Sequence, residues 1–309
     1  MQTVRQRLSV VRYFAGARAF CLFVFLSFIG INTSFAQGGG PERIVSVGGA
    51  ITEILYDLGL ADRIVAVDTT SLFPPEALKE KPNVGYMRAL SVEGILALGP
   101  TRVLLLDGAG PPEALKLLAE SGLPITHIGD DPTPAGVVAK IRAIGQVTGA
   151  DADAATLSEA VEQRFALLED LGRQIGQPKK VLFVLGFQGG RPLVAGQGTA
   201  ADGIIRLAGA HNAAQGFSGY KPMTDEAIIE AAPDAIVTMG SAAHTMEPEE
   251  LFARPAFAGT PAARERRLIS RDGLFLLGFG PRTPQAAADL LHALYPAVPI
   301  PPALAAGAP

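Results

Sequence analysis

One long amphipathic segment divides the chain into two halves. Between residues 153 and 175 there is no proline and only one glycine, and apolar side chains recur every three or four residues, at Leu157, Val161, Phe165, Leu168, Leu171 and Ile175. This period places them on one face of an α-helix. A helix of about 23 residues is ~35 Å long. We therefore predict a helix that connects two lobes and, as a rigid strut, limits hinge bending.

Each half alternates short apolar runs with helical segments. The runs cover residues 43–47, 63–67, 102–106, 125–128, 181–185, 192–195, 235–239 and 267–270. This alternation predicts parallel sheets, and runs this apolar predict sheets covered on both faces. Helix starts are predicted at Ser91, as the cap of residues 92–98, at Pro112, and at Thr283, as the cap of the last helix.

The predicted fold class is α/β, with two Rossmann-like lobes of mainly parallel sheets joined by a single long helix. A ligand cleft is expected between the lobes, at the carboxyl ends of the strands. The predicted boundaries are a signal peptide over 1–36, an N-terminal lobe over 37–150, the linking helix over 151–177 and a C-terminal lobe over 178–309.

The first 36 residues predict export. Four arginines and no acidic residue precede an apolar run over 19–31, and small side chains follow at Ser34 and Ala36. This order is typical of a secretory signal peptide cleaved after Ala36. The alternative, a membrane anchor, needs an apolar run of ~20 residues, which is longer than the run present. The predicted location is the periplasm.

The remaining chain has a charge and motif content that exclude several function classes. The signal segment holds four of the 26 basic residues and none of the 30 acidic ones, so the rest carries a net charge of −8. Such a surface argues against binding nucleic acid or anionic lipid. No nucleophile elbow, phosphate-binding loop, zinc-protease motif or Cys-x-x-Cys pair is present. We predict a binding protein without enzymatic activity.

Tyr86 and Arg88 form the most informative pair. They lie two residues apart in what reads as an extended loop, which would direct both side chains to the same side. A phenolate suits ferric iron and is a known haem ligand. A neighbouring guanidinium stabilises the ionised phenol and matches a carboxylate. The alternative is that the Tyr86 ring packs and Arg88 forms a surface ion pair.

Five stretches in order resemble one known family. They are DTTSLFPP over 68–75, VGYMRALS over 84–91, VAGQGTAAD over 194–202, GYKPM over 219–223 and GFGPRT over 278–283. Together they resemble the haem-binding proteins of bacterial haem ABC importers, a branch of the helix-linked periplasmic binding proteins. The resemblance implies haem as the transported ligand, Tyr86 as its axial iron ligand and Arg88 as a support. It implies as partners a permease dimer with its ATPase, and an outer-membrane haem receptor system.

The chain departs from this family at one loop. Some members carry a ligating histidine after the first strand of the second lobe, whereas residues 185–191 here contain none. Phe187 is a candidate to stack on the porphyrin, and Arg191 a candidate to bind a propionate. The alternative is an ordinary hairpin.

Further candidates lie in other loops. His244 follows the strand that ends at residue 239 and is a candidate sixth ligand, although an exposed loop histidine is the simpler interpretation. Tyr220 is a candidate cleft wall or second ligand. Of the other histidines, His127 is expected in the core, His211 at a helix end and His292 in solvent.

Two glutamates suggest how a partner docks. Glu93 and Glu226 lie in the first turns of predicted helices at matching places in the two halves. The resemblance implies that each binds arginines of the permease. The alternative is that both only complement helix dipoles.

Three other functions stay open. A ferric-siderophore or corrinoid binder keeps the class but changes the ligand, and a haem store or sensor lacks the transporter. An extracytoplasmic enzyme on a similar fold would turn over a substrate. Tyr86 favours haem over a siderophore, because a siderophore already saturates its iron.

Overall fold

The computed structural model describes residues 42–240 and 247–305. The predicted signal peptide and His244 lie outside these ranges. The strands are β1 Ile44–Val47, β2 Ile64–Val67, β3 Gly85–Tyr86, β4 Ala89–Leu90, β5 Arg102–Leu106, β6 Ile125–Ile128, β7 Lys180–Gln188, β8 Arg191–Ala195, β9 His211–Asn212, β10 Tyr220–Pro222, β11 Ala235–Gly240 and β12 Leu268–Asp272. The helices are α1 Gly49–Asp57, α2 Glu76–Glu80, α3 Val92–Ala97, α4 Pro112–Glu120, α5 Pro134–Thr148, α6 Asp151–Gly172, α7 Ala200–Leu207, α8 Asp225–Ala231, α9 Pro248–Phe252, α10 Pro255–Ala258, α11 Pro261–Arg264, α12 Gly273–Leu277 and α13 Thr283–Leu294.

The first lobe contains a parallel sheet in the order β2-β1-β5-β6. Successive residues of β1 and β5 belong alternately to two apolar clusters. Ile44 and Leu104 face one cluster, and Val45 and Val103 face the other. Because the side chains of a strand point to alternate faces, both faces of this sheet are buried, as predicted.

The second lobe has a mixed sheet in the order β10-β8-β7-β11-β12, and β9 pairs with the start of β7. Strands β7, β11 and β12 are parallel, as predicted. Strands β8 and β10 run antiparallel to their neighbours, which strand–helix alternation does not predict. The reason is local: Gly189 and Gly190 adopt φ angles of 58° and 81°, which return the chain in a two-residue hairpin turn.

Helix α6 carries the apolar stripe. Val161, Phe165, Leu168 and Leu171 are buried, whereas the residues between them are mostly exposed. The helix ends at Gly172, so Ile175 lies beyond it rather than on its last turn. It packs on α5 of the first lobe and on α13 and α7 of the second.

The two lobes share part of their core. One apolar cluster extends from β1 and α1, through α5 and α6, to β7, α7 and α13. Charged groups reinforce this junction: the ammonium of Lys140 on α5, with a fully buried side chain, lies 2.7 Å from an Asp130 carboxylate oxygen and 3.3 Å from the Phe279 carbonyl of the second lobe. The two lobes therefore share one continuous buried core at their junction.

Three smaller expectations are wrong. His127 lies in β6, but its side chain is exposed, because β6 is the edge strand of its sheet, and its Nδ1 atom is 3.8 Å from an Asp107 carboxylate oxygen. His211 forms part of β9 rather than a helix end. His292 is exposed on α13, as expected. The cap of α13 is Arg282, and Thr283 is its first residue.

Candidate functional site

A short hairpin holds Tyr86 at the carboxyl edge of the first-lobe sheet. Strands β3 and β4 pair Tyr86 with Ala89. The Gly85 carbonyl accepts a hydrogen bond from the Thr69 amide at 2.9 Å, beyond the end of β2. The Met87 carbonyl accepts one from the Gly110 amide at 2.9 Å, beyond the end of β5. The Tyr86 side chain projects from this anchored loop and is 46% exposed.

Arg88 lies in the turn of this hairpin. Met87 and Arg88 form the two-residue turn between β3 and β4, so the loop is not extended as the sequence suggested. The alternation argument that placed Tyr86 and Arg88 on the same side therefore does not apply. Gly85, the first residue of β3, has a φ of 99°, a backbone conformation that glycine adopts readily.

The Arg88 charge acts on Tyr220 of the other lobe. Burial raises the pKa of the Tyr220 phenol, while the Arg88 guanidinium and a hydrogen bond with the Thr199 hydroxyl act to lower it. Tyr220 lies on the edge strand β10, opposite Ala195 of β8, and remains 37% exposed. Groups of both lobes, Arg88 of the first and Thr199 of the second, therefore influence this phenol.

Phe187 and Arg191 lie on the β7–β8 hairpin. The guanidinium of Arg254 stacks on the Phe187 ring, 4.0 Å from the ring centre, so one face of this ring is covered by protein. Hydrogen bonds with its own backbone amide and with the Thr224 hydroxyl lower the pKa of the Glu226 carboxyl, and the Arg191 charge adds a smaller effect. Sequence reasoning did not identify Arg254, which no motif marks, and it included Thr199 only as part of the stretch over 194–202.

Glu93 and Glu226 occupy equivalent positions. Each is the second residue of its helix, α3 or α8, and each is exposed. The preceding caps are also equivalent: the Ser91 hydroxyl accepts a hydrogen bond from the Gly94 amide at 3.1 Å, and the Thr224 hydroxyl accepts one from the Ala227 amide at 3.3 Å. The predicted symmetry between the lobes therefore extends to the local geometry of both glutamates.

A separate apolar groove of about 1010 Å³ lies between α5, α6, α7 and the start of β9. None of the predicted ligand-binding residues lines it. Its three arginines are occupied in ion pairs, Arg142 with Glu162, Arg173 with Glu169 and Arg206 with Asp202. Over residues 42–240 and 247–305, no cluster of three or more His, Cys, Asp or Glu side chains is arranged to hold a metal ion. Over the same residues, no helix has the length and apolar character needed to cross a bilayer.

This architecture matches a known protein family and a solved structure. The sequence profile of the periplasmic binding protein family matches residues 44–273. The structure of the periplasmic haem-binding protein RhuT from Roseiflexus sp. RS-1 superposes with a TM-score of 0.79 at 41% identity, over 84% of this chain and 100% of RhuT.

Two curated relatives are named as binding proteins. An uncharacterised ABC transporter substrate-binding lipoprotein of Bacillus subtilis, YvrC, is 29% identical over 83% of this chain and 81% of its own length. The vitamin B12-binding protein of Yersinia pestis is 30% identical over 65% of this chain and 70% of its own length. The fold, the two-lobed cleft and the matched sequence together show that this chain belongs to the periplasmic binding protein family.

Proposed function

We propose that this protein captures ferric haem in the cleft and delivers it to an ABC-type permease with its ATPase. The observation that carries the proposal is the half-exposed Tyr86 phenol, held by an anchored hairpin at the carboxyl edge of the first-lobe sheet. Tyr86 projects from the first lobe, Tyr220 from the second, and Arg88 acts on Tyr220 across the gap. The likeness to RhuT, which binds haem, supports the choice of ligand.

Tyr86 is the axial ligand in this proposal. Its ring is held by a hairpin fixed to both neighbouring strand ends, and almost half of its surface is open to a ligand. A ligated phenolate suits ferric rather than ferrous iron, because it is a hard anionic oxygen donor. Arg88 compensates the negative charge of a phenolate or of a propionate.

Other side chains contribute at the periphery. Tyr220 forms the opposite wall or a second ligand, and Phe187, partly buried beside the Arg254 guanidinium, is the candidate to stack on the porphyrin ring. Arg191, exposed at the start of β8, is a second candidate to bind a propionate. His244 remains a candidate sixth ligand.

The test is a visible absorption titration of the protein, without residues 1–36, with ferric haem. We expect a saturable spectrum with a phenolate-to-iron charge-transfer band. Tyr86→Phe should abolish the band, because it removes only the hydroxyl, and Tyr295→Phe is the matched control away from the cleft. A spectrum that Tyr86→Phe leaves unchanged would exclude this ligand. The end point of the titration also gives the number of haems bound.

A corrinoid is the alternative ligand, and the vitamin B12-binding relative favours it. A corrinoid brings its own cobalt ligands and has no need of a phenolate. Cyanocobalamin should therefore fail to displace haem from the wild-type protein. Saturable binding of cyanocobalamin, unaffected by Tyr86→Phe and accompanied by no haem spectrum, would establish the alternative. A ferric siderophore is tested by the same competition.

Export and delivery complete the proposal. Residues 1–36 act as the export signal, and the mature protein in an osmotic-shock fraction should begin at Gln37 by mass spectrometry. An outer-membrane haem receptor system supplies the haem. Glu93 and Glu226 dock on basic side chains of the permease, so Glu93→Gln with Glu226→Gln should abolish haem uptake by cells but leave haem binding intact. Normal uptake by this double variant would instead favour a haem store or sensor.

A further inference from the structure

Helices α3 and α8 share more than a glutamate. In both, the fourth residue after the capping hydroxyl is an isoleucine with no exposed surface, Ile95 or Ile228. This isoleucine fixes the helix to its lobe. The next residue is a large aliphatic side chain that faces solvent, Leu96 with 41% of its surface exposed and Ile229 with 49%.

Each exposed aliphatic residue lies on the same helix face as the glutamate. Leu96 follows Glu93 by three residues, and Ile229 follows Glu226 by three. Residues at this spacing are neighbours on a helical surface. A single exposed leucine is common and needs no explanation. The same pair of an acid and an exposed aliphatic side chain on both lobes does need one, because neither side chain contributes much to its own core.

Each pair follows directly on a segment that carries a candidate ligand-binding residue. Helix α3 begins two residues after β4, and α8 begins three residues after β10. The β3–β4 hairpin holds Tyr86 at the carboxyl edge of the first-lobe sheet, and β10 carries Tyr220 at the edge of the second-lobe sheet. Each lobe therefore displays one pair next to its candidate cleft residue.

We propose that these four residues form a two-point docking surface, composed of Glu93 with Leu96 and Glu226 with Ile229. Its occupant is the permease dimer of the proposed function, on which this inference rests. Each permease half supplies a basic side chain beside an apolar depression. A dimer with two-fold symmetry presents this combination twice, which matches one pair on each lobe.

The charges and the apolar side chains have different tasks in this surface. Exposed charges steer association, and their effect falls as salt screens them. Desolvated apolar anchors slow dissociation and are insensitive to salt. The surface therefore predicts that glutamate variants and aliphatic variants change different rate constants.

The experiment measures docking of the full mature protein on its permease–ATPase complex in lipid nanodiscs, by biolayer interferometry. Leu96→Ser and Ile229→Ser should each raise the dissociation rate about tenfold, and together about a hundredfold, since distant sites are additive. The association rate and its salt dependence should not change. Glu93→Gln and Glu226→Gln should slow association and flatten its salt dependence. Leu117→Ser is the matched control, because Leu117 on α4 is 53% exposed but belongs to neither pair.

Two results would overturn the two-point surface: unchanged dissociation of Leu96→Ser with Ile229→Ser, or an equal effect of Leu117→Ser. A haem titration of each variant separates this inference from the proposed function. If wild-type protein docks and the variants behave as expected but no haem spectrum forms, the ligand assignment fails and the docking surface stands. If haem binds normally and the aliphatic variants dock like wild type, the surface fails and the ligand assignment stands.

Discussion

The Glu53 carboxylate on α1 accepts two hydrogen bonds from Arg282, one from the backbone amide at 3.1 Å and one from the guanidinium at 2.9 Å. Glu53 belongs to the first lobe, and Arg282 precedes α13 in the second. The Glu53 side chain is only 3% exposed. The same guanidinium stacks on the Phe73 ring, 3.4 Å from its centre. This pair therefore joins the lobes through a largely buried ion pair.

Glu53→Ala should destabilise the protein strongly. Removing one partner leaves the Arg282 charge in a largely buried position, which typically costs about 3–5 kcal/mol. The free energy of unfolding is obtained from urea titration. Glu162→Ala is the control, since its pair with Arg142 is about half exposed on both sides, and its loss should cost less than ~1 kcal/mol. Equal effects of the two substitutions would contradict a buried inter-lobe pair.

Asp57, one turn along α1, should make stability depend on pH. Burial and the Glu53 charge raise its pKa from 3.8 to about 6, against the opposing charges of Arg282 and Arg164. The folded protein therefore favours the protonated acid. The charge of Asp57 lowers the free energy of unfolding by its full amount above about pH 6, and it has no effect on that free energy below about pH 4.

Asp57→Asn should therefore raise the unfolding temperature at pH 7.5. Because Asp57 is partly exposed, we expect a gain below ~1 kcal/mol. The gain should shrink as the pH is lowered from 6 towards 4, as calorimetry at several pH values can measure. Glu76→Gln on α2, an exposed acid, is the control. A gain that is constant with pH would show that charge at Asp57 is not its source.

Gly203→Ala should push the lobes apart. A Cβ atom at Gly203 on α7 would lie 2.6 Å from the Pro132 carbonyl oxygen of the first lobe and 2.9 Å from the Phe279 ring. Overpacking of this kind costs about 1–3 kcal/mol. Gly172→Ala is the matched control, because a Cβ atom there meets nothing within 4 Å. Thermal unfolding should separate the two variants, and equal unfolding temperatures would argue against close packing at this junction.

Arg88→Ala should raise the pKa of Tyr220 further. The guanidinium stabilises the phenolate, so its removal takes away a favourable charge, whereas Arg88→Lys should largely retain the effect. The phenol titration is followed by NMR of tyrosine labelled with ¹³C at Cζ, with Tyr220→Phe to assign the signal. Arg173→Ala, at the end of α6, is the control, because Arg173 is not among the groups that shift the Tyr220 pKa. An unchanged Tyr220 titration in Arg88→Ala would mean that the two lobes do not meet at this point.

Much of the fold could be predicted, because its signals are local. The stripe on α6 and the Ser91 cap follow from spacing and residue type alone, and the structure confirms both. The antiparallel course of β8 depends on a two-glycine turn that alternation rules ignore. The exposure of His127 depends on which strand forms the sheet edge, a property of the assembled sheet that periodicity within β6 does not encode.

The site was predictable to a lesser degree. The sequence identified Tyr86, Arg88 and Tyr220 as separate candidates, and in the structure the Arg88 charge acts on the Tyr220 phenol. The stacking of Arg254 on Phe187 joins residues far apart in the chain and leaves no signature in either segment. The roles of Phe187, Arg191 and His244 toward a ligand stay predictions, and His244 lies outside the described residues.

The apolar cluster that passes beneath the cleft has a consequence for how ligand capture is detected. Since that cluster is common to both walls, we expect the walls to lose their structure in one cooperative melting transition rather than in two. A ligand that binds only the folded protein stabilises it in that single transition by RT ln(1 + [L]/Kd), where [L] is the free ligand concentration. The melting temperature of the whole protein therefore reports ligand binding in the cleft, and no label near the ligand is needed.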